Sequence, residues 1–297
     1  MQLEVVFLVA IIALGYGIKR IGWVSADAFG PLSVIALRIT LPCALAVSFD
    51  SFDMVPSLWR LTYLGLLASL ALMFAGGMTG RKRREAAFGI LNVQGFNIGL
   101  FAMPFVATFV GPDAIVYAAM FDLGSSVAAA GIGYGWAVVM ARPDGRPVPA
   151  GVSIVRSPVL IAYVLLAGMR LVGLHLPGPV LAFAQLVGSA NTFVAMLMIG
   201  VSLELAVPTG VRVLRLLGAR YLVVAGLCVV AWFFPMNPDQ RLVVLMLAFA
   251  PLPAMSVAFT GEAGLDVRAS AFLVSVTALV AVVAMPAVPA VLTALLG

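Results

Sequence analysis

The sequence predicts an all-α integral membrane protein that crosses the bilayer ten times. Hydrophobic residues make up 63% of the 297 residues, charged residues only 10%, and the mean hydropathy is +1.16. An average soluble domain has roughly 25% charged residues. Apolar runs of about 18 to 25 residues recur along the chain, and a helix of about 20 residues crosses the hydrocarbon core of a bilayer. This composition excludes an ordinary soluble enzyme or binding domain.

Ten apolar runs are predicted to be transmembrane helices. Their approximate limits are residues 3–18, 29–48, 61–79, 86–109, 114–139, 153–173, 179–203, 211–234, 241–260 and 269–293. The first run begins beside Glu4 and is followed by Lys19 and Arg20, the reverse of the charged start of a secretory signal peptide. We therefore expect it to be retained as the first helix.

The basic residues predict the orientation of the chain. One side of the membrane receives Lys19, Arg20, Arg81, Lys82, Arg83, Arg84, Arg142, Arg146, Arg156, Arg212, Arg215, Arg220 and Arg268. The other side receives Arg60, Arg170 and Arg241. By the positive-inside rule the larger group is cytoplasmic, so ten helices place both termini outside. The basic run at residues 81–84 is interpreted as a topology determinant, and no nucleic-acid partner is expected.

A proline- and glycine-rich polar connection, residues 142–149, divides the chain near its middle. The predicted units are a first five-helix repeat at 1–140, a cytoplasmic linker at 141–152 and a second five-helix repeat at 153–297. Because five is odd, two halves built alike must have opposite orientations in the membrane. Such inverted repeats are common among secondary transporters.

A polar stretch in the fourth span, residues 92–99, is the strongest functional signal. It contains the amides Asn92, Gln94 and Asn97. An amide is costly in hydrocarbon unless it faces a partner, a cavity or a ligand. Counted at about 1.5 Å per residue, Asn97 lies at a depth similar to that of Asn191 and Pro251 in the seventh and ninth spans. We therefore expect one shared site near the middle of the membrane.

Arg38 and Asp122 are the two ionisable residues that this count places well inside the spans. A charge at this depth costs at least about 2.5 to 3.5 kcal/mol, so both should face each other or a water-filled cavity. In one interpretation Arg38 binds a carboxylate, and Asp122 orients Arg38 or transfers a proton. In the other, the two residues form a buried pair that only fixes helix packing.

Prolines and glycines predict interruptions in the spans. The prolines concerned are Pro42, Pro104, Pro251 and Pro253. Proline removes the backbone hydrogen bond to the residue four positions earlier, and the released carbonyl can coordinate a cation or water. A half-helix that resumes after a break near Gly95 presents N–H groups to an anion. Ordinary kinks, with Gly95 and Gly99 allowing close helix packing, are the alternative.

Four short motifs resemble those of the auxin efflux carrier superfamily, in its bacterial branch. They are residues 97–104 (NIGLFAMP) in the fourth span, Leu41-Pro42 in the second, residues 198–203 (MIGVSL) in the seventh, and residues 251–256 (PLPAMS) with the following 261–266 (GEAGLD) in the ninth. The chain departs from the family pattern where it has Ala102 in place of glycine, and Phe96 and Thr192 in place of proline.

This resemblance implies a fold like that of the sodium/proton antiporters and bile acid symporters. In that fold, inverted five-helix repeats contain a fourth and a ninth helix that break and cross in mid-membrane. One bundle acts as a scaffold, and the other moves as an elevator. The resemblance also implies organic anions as substrates, the bacterial inner membrane as location, and a homodimer as the assembly typical of the family.

The predicted function is secondary active transport, or facilitated movement, of a small organic anion such as a mono- or dicarboxylate. A sodium-coupled symporter of another small solute, or a channel or receptor of the same fold, remains open. An enzyme is not expected, because the single His175 is peripheral and no catalytic or metal-binding cluster is evident. No cofactor is predicted, and a proton or sodium is the expected coupling ion. The predicted substrate-binding residues are Arg38, Gln94, Asn97, Asn191, Pro251 and Pro253, with Asp122 as coupling or charge partner and Pro42, Gly95, Gly99 and Pro104 at helix breaks.

Overall fold

The computed structural model describes residues 2–25, 28–51, 56–141, 158–203 and 211–296. Within these ranges the chain is helical and contains no β-strand. Seven stretches are long and apolar enough to cross a membrane: Phe29–Asp50, Ser57–Met78, Arg83–Phe109, Pro112–Ala141, Gly178–Ser202, Arg212–Phe233 and Val267–Ala294. An all-α, multi-pass membrane protein is therefore confirmed, whereas the ten-helix inverted repeat remains a prediction.

The helices are numbered here in chain order. They are α1 (Gln2–Arg20), α2 (Phe29–Ile35), α3 (Leu41–Asp50), α4 (Pro56–Met78), α5 (Arg83–Val93), α6 (Met103–Phe109), α7 (Ile115–Ser126), α8 (Tyr134–Ala141), α9 (Pro158–Leu171), α10 (Gly178–Gly188), α11 (Asn191–Ser202), α12 (Val211–Phe233), α13 (Pro238–Ala248), α14 (Met255–Glu262) and α15 (Val267–Leu296). Short π-helical turns at Ala36–Thr40, Ile98–Ala102 and Val127–Gly133 connect α2 to α3, lead into α6, and connect α7 to α8.

Three predicted spans fall on helices outside these seven stretches. The run 3–18 lies within α1, the run 241–260 covers most of α13 and α14, and the described part of 153–173 includes all of α9. Residues 142–157 lie outside the described ranges, and with them nearly all of the predicted linker at 141–152. The division into two repeats therefore stays a prediction.

The helices do not break at Pro42 and Pro104, contrary to the prediction. Each proline is the second residue of a helix, α3 or α6, that continues directly from a π-helical turn. The wider π turn changes the hydrogen-bond register just before the ring, so the N–H that proline lacks does not interrupt the helix. Gly99 lies inside the second of these turns rather than at a break.

The packing divides the described helices into two bundles. In the first bundle, α1 packs along α11, and α3 packs against α9 and α10. In the second bundle, α4 packs along α7 and α5, α12 packs against α4 and α13, and α15 packs against α13 and α14. Contacts between the bundles are fewer and involve mainly α3 and α9 with α7, and α11 with α6.

Glycines allow the closest of these packings. A Cβ added at Gly200 of α11 would lie 2.0 Å from the carbonyl oxygen of Ile12 in α1, and one at Gly124 of α7 would lie 1.8 Å from that of Thr62 in α4. The outer surface exposes large apolar side chains, among them Leu186, Leu222 and Phe233. Such close, small-residue packing and an apolar exterior are typical of helix bundles that contact lipid.

Candidate functional site

Two broken helices meet inside the second bundle. α5 ends at Val93, and helix resumes only at Ile98, with Gly95 at a φ of +75° between them. Glycine adopts this left-handed conformation without steric cost, so Gly95 lies within the interruption between the two helical segments. The second interruption, residues 249–254, separates α13 from α14. The backbone N–H of Asn97 donates a 2.8 Å hydrogen bond to the carbonyl oxygen of Pro251, so the two breaks touch.

Arg220 of α12 joins the two breaks. Its side chain is 1% exposed, and its guanidinium donates to the carbonyl oxygens of Val93 (2.6 Å), Gly95 (3.0 Å) and Ala250 (2.8 Å). The assignment of Arg220 to the cytoplasmic basic group is therefore wrong, as is the expectation that Arg38 and Asp122 are the only charges deep in the spans. The sequence did indicate a deep position for Arg220, because this residue lies about 14 Å from the start of an apolar helix.

A cavity of about 540 Å³ lies beside the crossing, between the two bundles. The first bundle contributes Ser33, Val34, Leu37, Arg38 and Val159 to its wall. The second bundle contributes Gln94, Phe96, Asn97, Ile98, Gly99, Leu100, Asp122, Ser125, Ser126, Ala129, Ala130, Pro253, Ala254, Met255, Ser256, Ala258, Phe259 and Glu262. Polar side chains from both bundles therefore face one shared cavity at the level of the breaks.

The cavity brings together most of the predicted site residues. Arg38, Gln94, Asn97, Asp122, Gly99 and Pro253 line it. Among the described residues, Asn191, Pro251, Pro42, Gly95 and Pro104 do not form part of its wall.

Asn191 has a structural contact instead of a place in the cavity. Its buried side chain accepts a 2.9 Å hydrogen bond from the hydroxyl of Thr40, which ties α11 to the second span. Pro251 contributes only through its carbonyl oxygen, the acceptor for Asn97. Similar depth in the membrane therefore did not ensure the same orientation, because depth says nothing about which face of a helix a residue occupies.

Arg38 and Asp122 line the same cavity but form no ion pair with each other in the described structure. Asp122 is buried and accepts hydrogen bonds from the hydroxyls of Tyr163 (2.8 Å) and Ser126 (3.2 Å). Arg38 is exposed within the cavity. Of the two expected arrangements, the structure shows the shared cavity rather than the direct pair. Tyr163, in α9, was not identified from the sequence, because nothing in its own neighbourhood indicates a carboxylate partner.

Two buried amide oxygens close to the crossing have no hydrogen-bond partner. They are Oδ1 of Asn92, which is 1% exposed, and Oε1 of Gln94, which is 3% exposed. The amide nitrogens are satisfied, since Asn92 donates to Phe88 and Thr260, and Gln94 donates to Ala129. An unpaired buried oxygen is costly, and hard cations bind oxygen ligands of this kind.

Carboxylates and an arginine give the cavity wall charges of both signs. Glu262, at the end of α14, accepts a hydrogen bond from the hydroxyl of Tyr134, and Asp122 lies deeper in the wall. Arg38 faces them from the first bundle. No group of three or more His, Cys, Asp or Glu side chains that could hold a metal ion lies together in the described ranges. The site is thus suited to binding and release of charged groups.

The comparison with known families gives one match. Residues 217–297 match the Sodium Bile acid symporter family, and this segment contains Arg220, the second break and α15. No curated protein matches the chain. The apolar helices and this match together indicate a multi-pass membrane protein whose C-terminal part is similar to a family of transporters.

Proposed function

We propose that this protein is a secondary transporter that uses a sodium gradient to move a small organic anion across the membrane. The observation that supports the proposal most strongly is the polar cavity at the crossing of two broken helices. In secondary transporters, solute and coupling-ion sites lie at such discontinuous helices near the middle of the bilayer.

Sodium coupling is supported by the oxygen atoms at the crossing and by the family match. The unpaired oxygens of Asn92 and Gln94 are neutral, hard donors, and Asp122 and Glu262 add negative charge to the cavity wall. Unwound backbone and amide oxygens are the ligands that bind sodium in transporters with broken helices. The matched family is named for sodium symport.

An anionic solute is supported by Arg38 and by two helix starts. The guanidinium of Arg38 is exposed in the cavity and can bind a carboxylate through two parallel hydrogen bonds. The helical segment that begins at Ile98 and the helix α14 both start at the cavity wall. Their first N–H groups and positive dipole ends favour an anion. A mono- or dicarboxylate fits these features.

The division into two bundles supports alternating access by an elevator movement. Both breaks and Arg220 belong to the second bundle, whereas Arg38 belongs to the first, across the cavity. Under the predicted orientation, the cavity extends from the crossing toward Glu262 and hence toward the cytoplasm. In this proposal the second bundle moves as a unit past the first and carries the solute to the other face.

Counterflow in proteoliposomes tests transport itself. Purified protein is first screened by thermal shift against mono- and dicarboxylates with and without sodium, because a bound ligand raises the melting temperature. Liposomes loaded with the best-binding carboxylate should then take up the labelled compound from outside, with saturable kinetics. Flux without saturation or counterflow would identify a channel instead, and a screen and flux assay without any response would contradict the proposal.

A further inference from the structure

We infer that Arg220 is a positioning residue for the transport site: a fixed cation that holds the two helix breaks together and neutralises the helix ends that converge there. The inference rests on the proposed function, because it assigns to Arg220 the task of shaping the site through which the solute passes. Arg220 itself does not line the cavity.

The first argument is the pattern of its hydrogen bonds. The guanidinium donates to two carbonyls of the first break, those of Val93 and Gly95, and to one of the second, that of Ala250. No single turn of helix could supply these three acceptors, because they come from two segments far apart in sequence. Arg220 therefore fixes the distance between the breaks, with the hydrogen bond from Asn97 to Pro251 beside it.

The second argument is electrostatic. α5 and α13 both end where Arg220 lies, so two helix C-termini, each equivalent to roughly half a negative charge, converge on one guanidinium. In the described structure no carboxylate forms an ion pair with Arg220, although a buried charge requires compensation. The two helix ends supply it, and Arg220 in turn cancels the negative potential that they would impose on the cavity.

The third argument concerns the side of the crossing that faces the cavity and can contact a solute or a cation. Phe96 contacts both Arg220 and the cavity: its ring centroid is 5.3 Å from the guanidinium carbon, and the residue also lines the cavity. Because the carbonyls of Val93, Gly95 and Ala250 are bound to the positively charged Arg220, which repels a second cation beside them, other oxygens such as Oε1 of Gln94 are better ligands for a free cation. Because Arg220 neutralises the helix C-termini, the positive helix N-termini dominate the electrostatic potential on the cavity side.

The experiment compares R220M, R220K and R215M with the wild type. Arg215 is an exposed arginine on the same helix, so R215M controls for loss of a positive charge from α12. Methionine keeps much of the length of Arg220 without its donors, and lysine keeps the charge with fewer, shorter-reaching donors. Hydrogen exchange is measured on purified protein in peptides that cover residues 94–100 and 249–254. Initial rates of counterflow are measured in proteoliposomes, with malonate, a small dicarboxylate, as the probe.

The expected results separate positioning from simple structural support. In R220M, exchange rises at both breaks and the KM for malonate rises by about tenfold or more, since charge-assisted hydrogen bonds are lost and uncompensated helix ends repel the anion. In R220K, the exchange rates and the KM should lie between those of R220M and the wild type. In R215M, neither the exchange rates nor the KM should change. A variant that folds less well but has wild-type KM and wild-type exchange at the breaks would overturn the inference, as would equal effects of R220M and R220K.

The exchange measurement distinguishes failure of this inference from failure of the proposed function, because it needs no solute. Suppose that exchange at the breaks rises in R220M but the wild type moves no carboxylate. This result would support the positioning role of Arg220 and reject the transport assignment. Unchanged exchange in R220M would reject the positioning role of Arg220, whatever the transport assay shows. If R220M cannot be purified, R220K alone tests the inference. A partial rise in hydrogen exchange at both breaks is expected in R220K, and wild-type exchange there would reject the positioning role.

Discussion

At the scale of single residues, Arg38 is the side chain that we propose recognises the anion. Among the described residues of the cavity wall it is the one that bears a permanent positive charge, and it is exposed there from the first bundle. No other described residue of the wall offers the bidentate donor geometry of a guanidinium.

Replacing Arg38 by alanine should raise the KM for a carboxylate by about tenfold or more, because a charge-assisted hydrogen bond is lost. The melting temperature should stay close to that of the wild type, because the exposed side chain has little packing to lose. Arg38→Lys should fall between the two, and Arg215→Ala serves as control. A wild-type KM in Arg38→Ala would remove the anion site from the cavity.

The position of the Gln94 side chain depends on Gly133. A Cβ added at Gly133 would lie 1.7 Å from Oε1 of Gln94, so Gly133→Ala must displace this amide from its present place. We expect the half-saturating sodium concentration to rise by about tenfold, equivalent to roughly 1.4 kcal/mol, while the protein still folds. Sodium-dependent thermal shift gives the measurement.

The matched control is Gly226→Ala in α12, where an added Cβ meets no atom within 4 Å. Alanine favours helix there, so sodium affinity should be unchanged and stability equal or slightly higher. Equal sodium dependence in both glycine variants would mean that Gln94 does not bind the ion.

The structure brings together several residues that were selected by the cost of burial, and their roles stay predictions. Gln94, Asn97, Arg38 and Asp122 were expected at one site because each is costly in hydrocarbon, and all four line the cavity. The same argument failed for Arg220, because a single arginine in a helix that starts with Arg212 and Arg215 looks like part of a basic flank.

At the scale of elements, the second bundle is built on close helix contacts that tolerate no side chain. Gly124 of α7 and Gly65 of α4 lie at the contact of these two helices, each within about van der Waals contact of the opposite backbone. This contact supports Asp122, which lies two residues before Gly124 and faces the cavity.

Gly124→Ala should lower the free energy of unfolding by about 1 to 3 kcal/mol, because the new methyl group overlaps the carbonyl of Thr62 and the helices must separate. Thermal unfolding of the detergent-solubilised protein measures the change. Gly168→Ala in α9, where the added Cβ meets no atom within 4 Å, should unfold like the wild type. An unchanged melting temperature for Gly124→Ala would show that the two helices can move apart freely.

Element boundaries were only partly predictable from the sequence. Helix type and approximate position follow from length and hydropathy, and the positive φ of Gly95 follows from glycine at a polar interruption. The π turns before Pro42 and Pro104 could not be predicted, because a proline signals a missing N–H but not how the surrounding helix compensates for it.

At the scale of the whole molecule, the cavity should open to the cytoplasm in the state described here. Met255 lines the cavity and is 51% exposed, whereas Asp239 lies at the start of α13, on the side predicted to be outside. The free cysteines Cys43 and Cys228 are replaced by alanine first.

In that background, Met255→Cys should react with a membrane-impermeant thiol reagent from the cytoplasmic side, and a bound carboxylate should slow the reaction. Asp239→Cys should react only from outside. The reverse pattern would invert the predicted orientation. The bacterial inner membrane as location and the homodimer stay predictions.

Sodium-driven accumulation is the measurement that tests the central claim most directly. Proteoliposomes with an inward sodium gradient should accumulate labelled malonate above its equilibrium level, and should lose this accumulation when choline replaces sodium or when Gln94→Leu replaces the wild type. Gly226→Ala should behave like the wild type. Accumulation that is equal in sodium and choline, or unaffected by Gln94→Leu, would contradict sodium coupling at the crossing of the two broken helices.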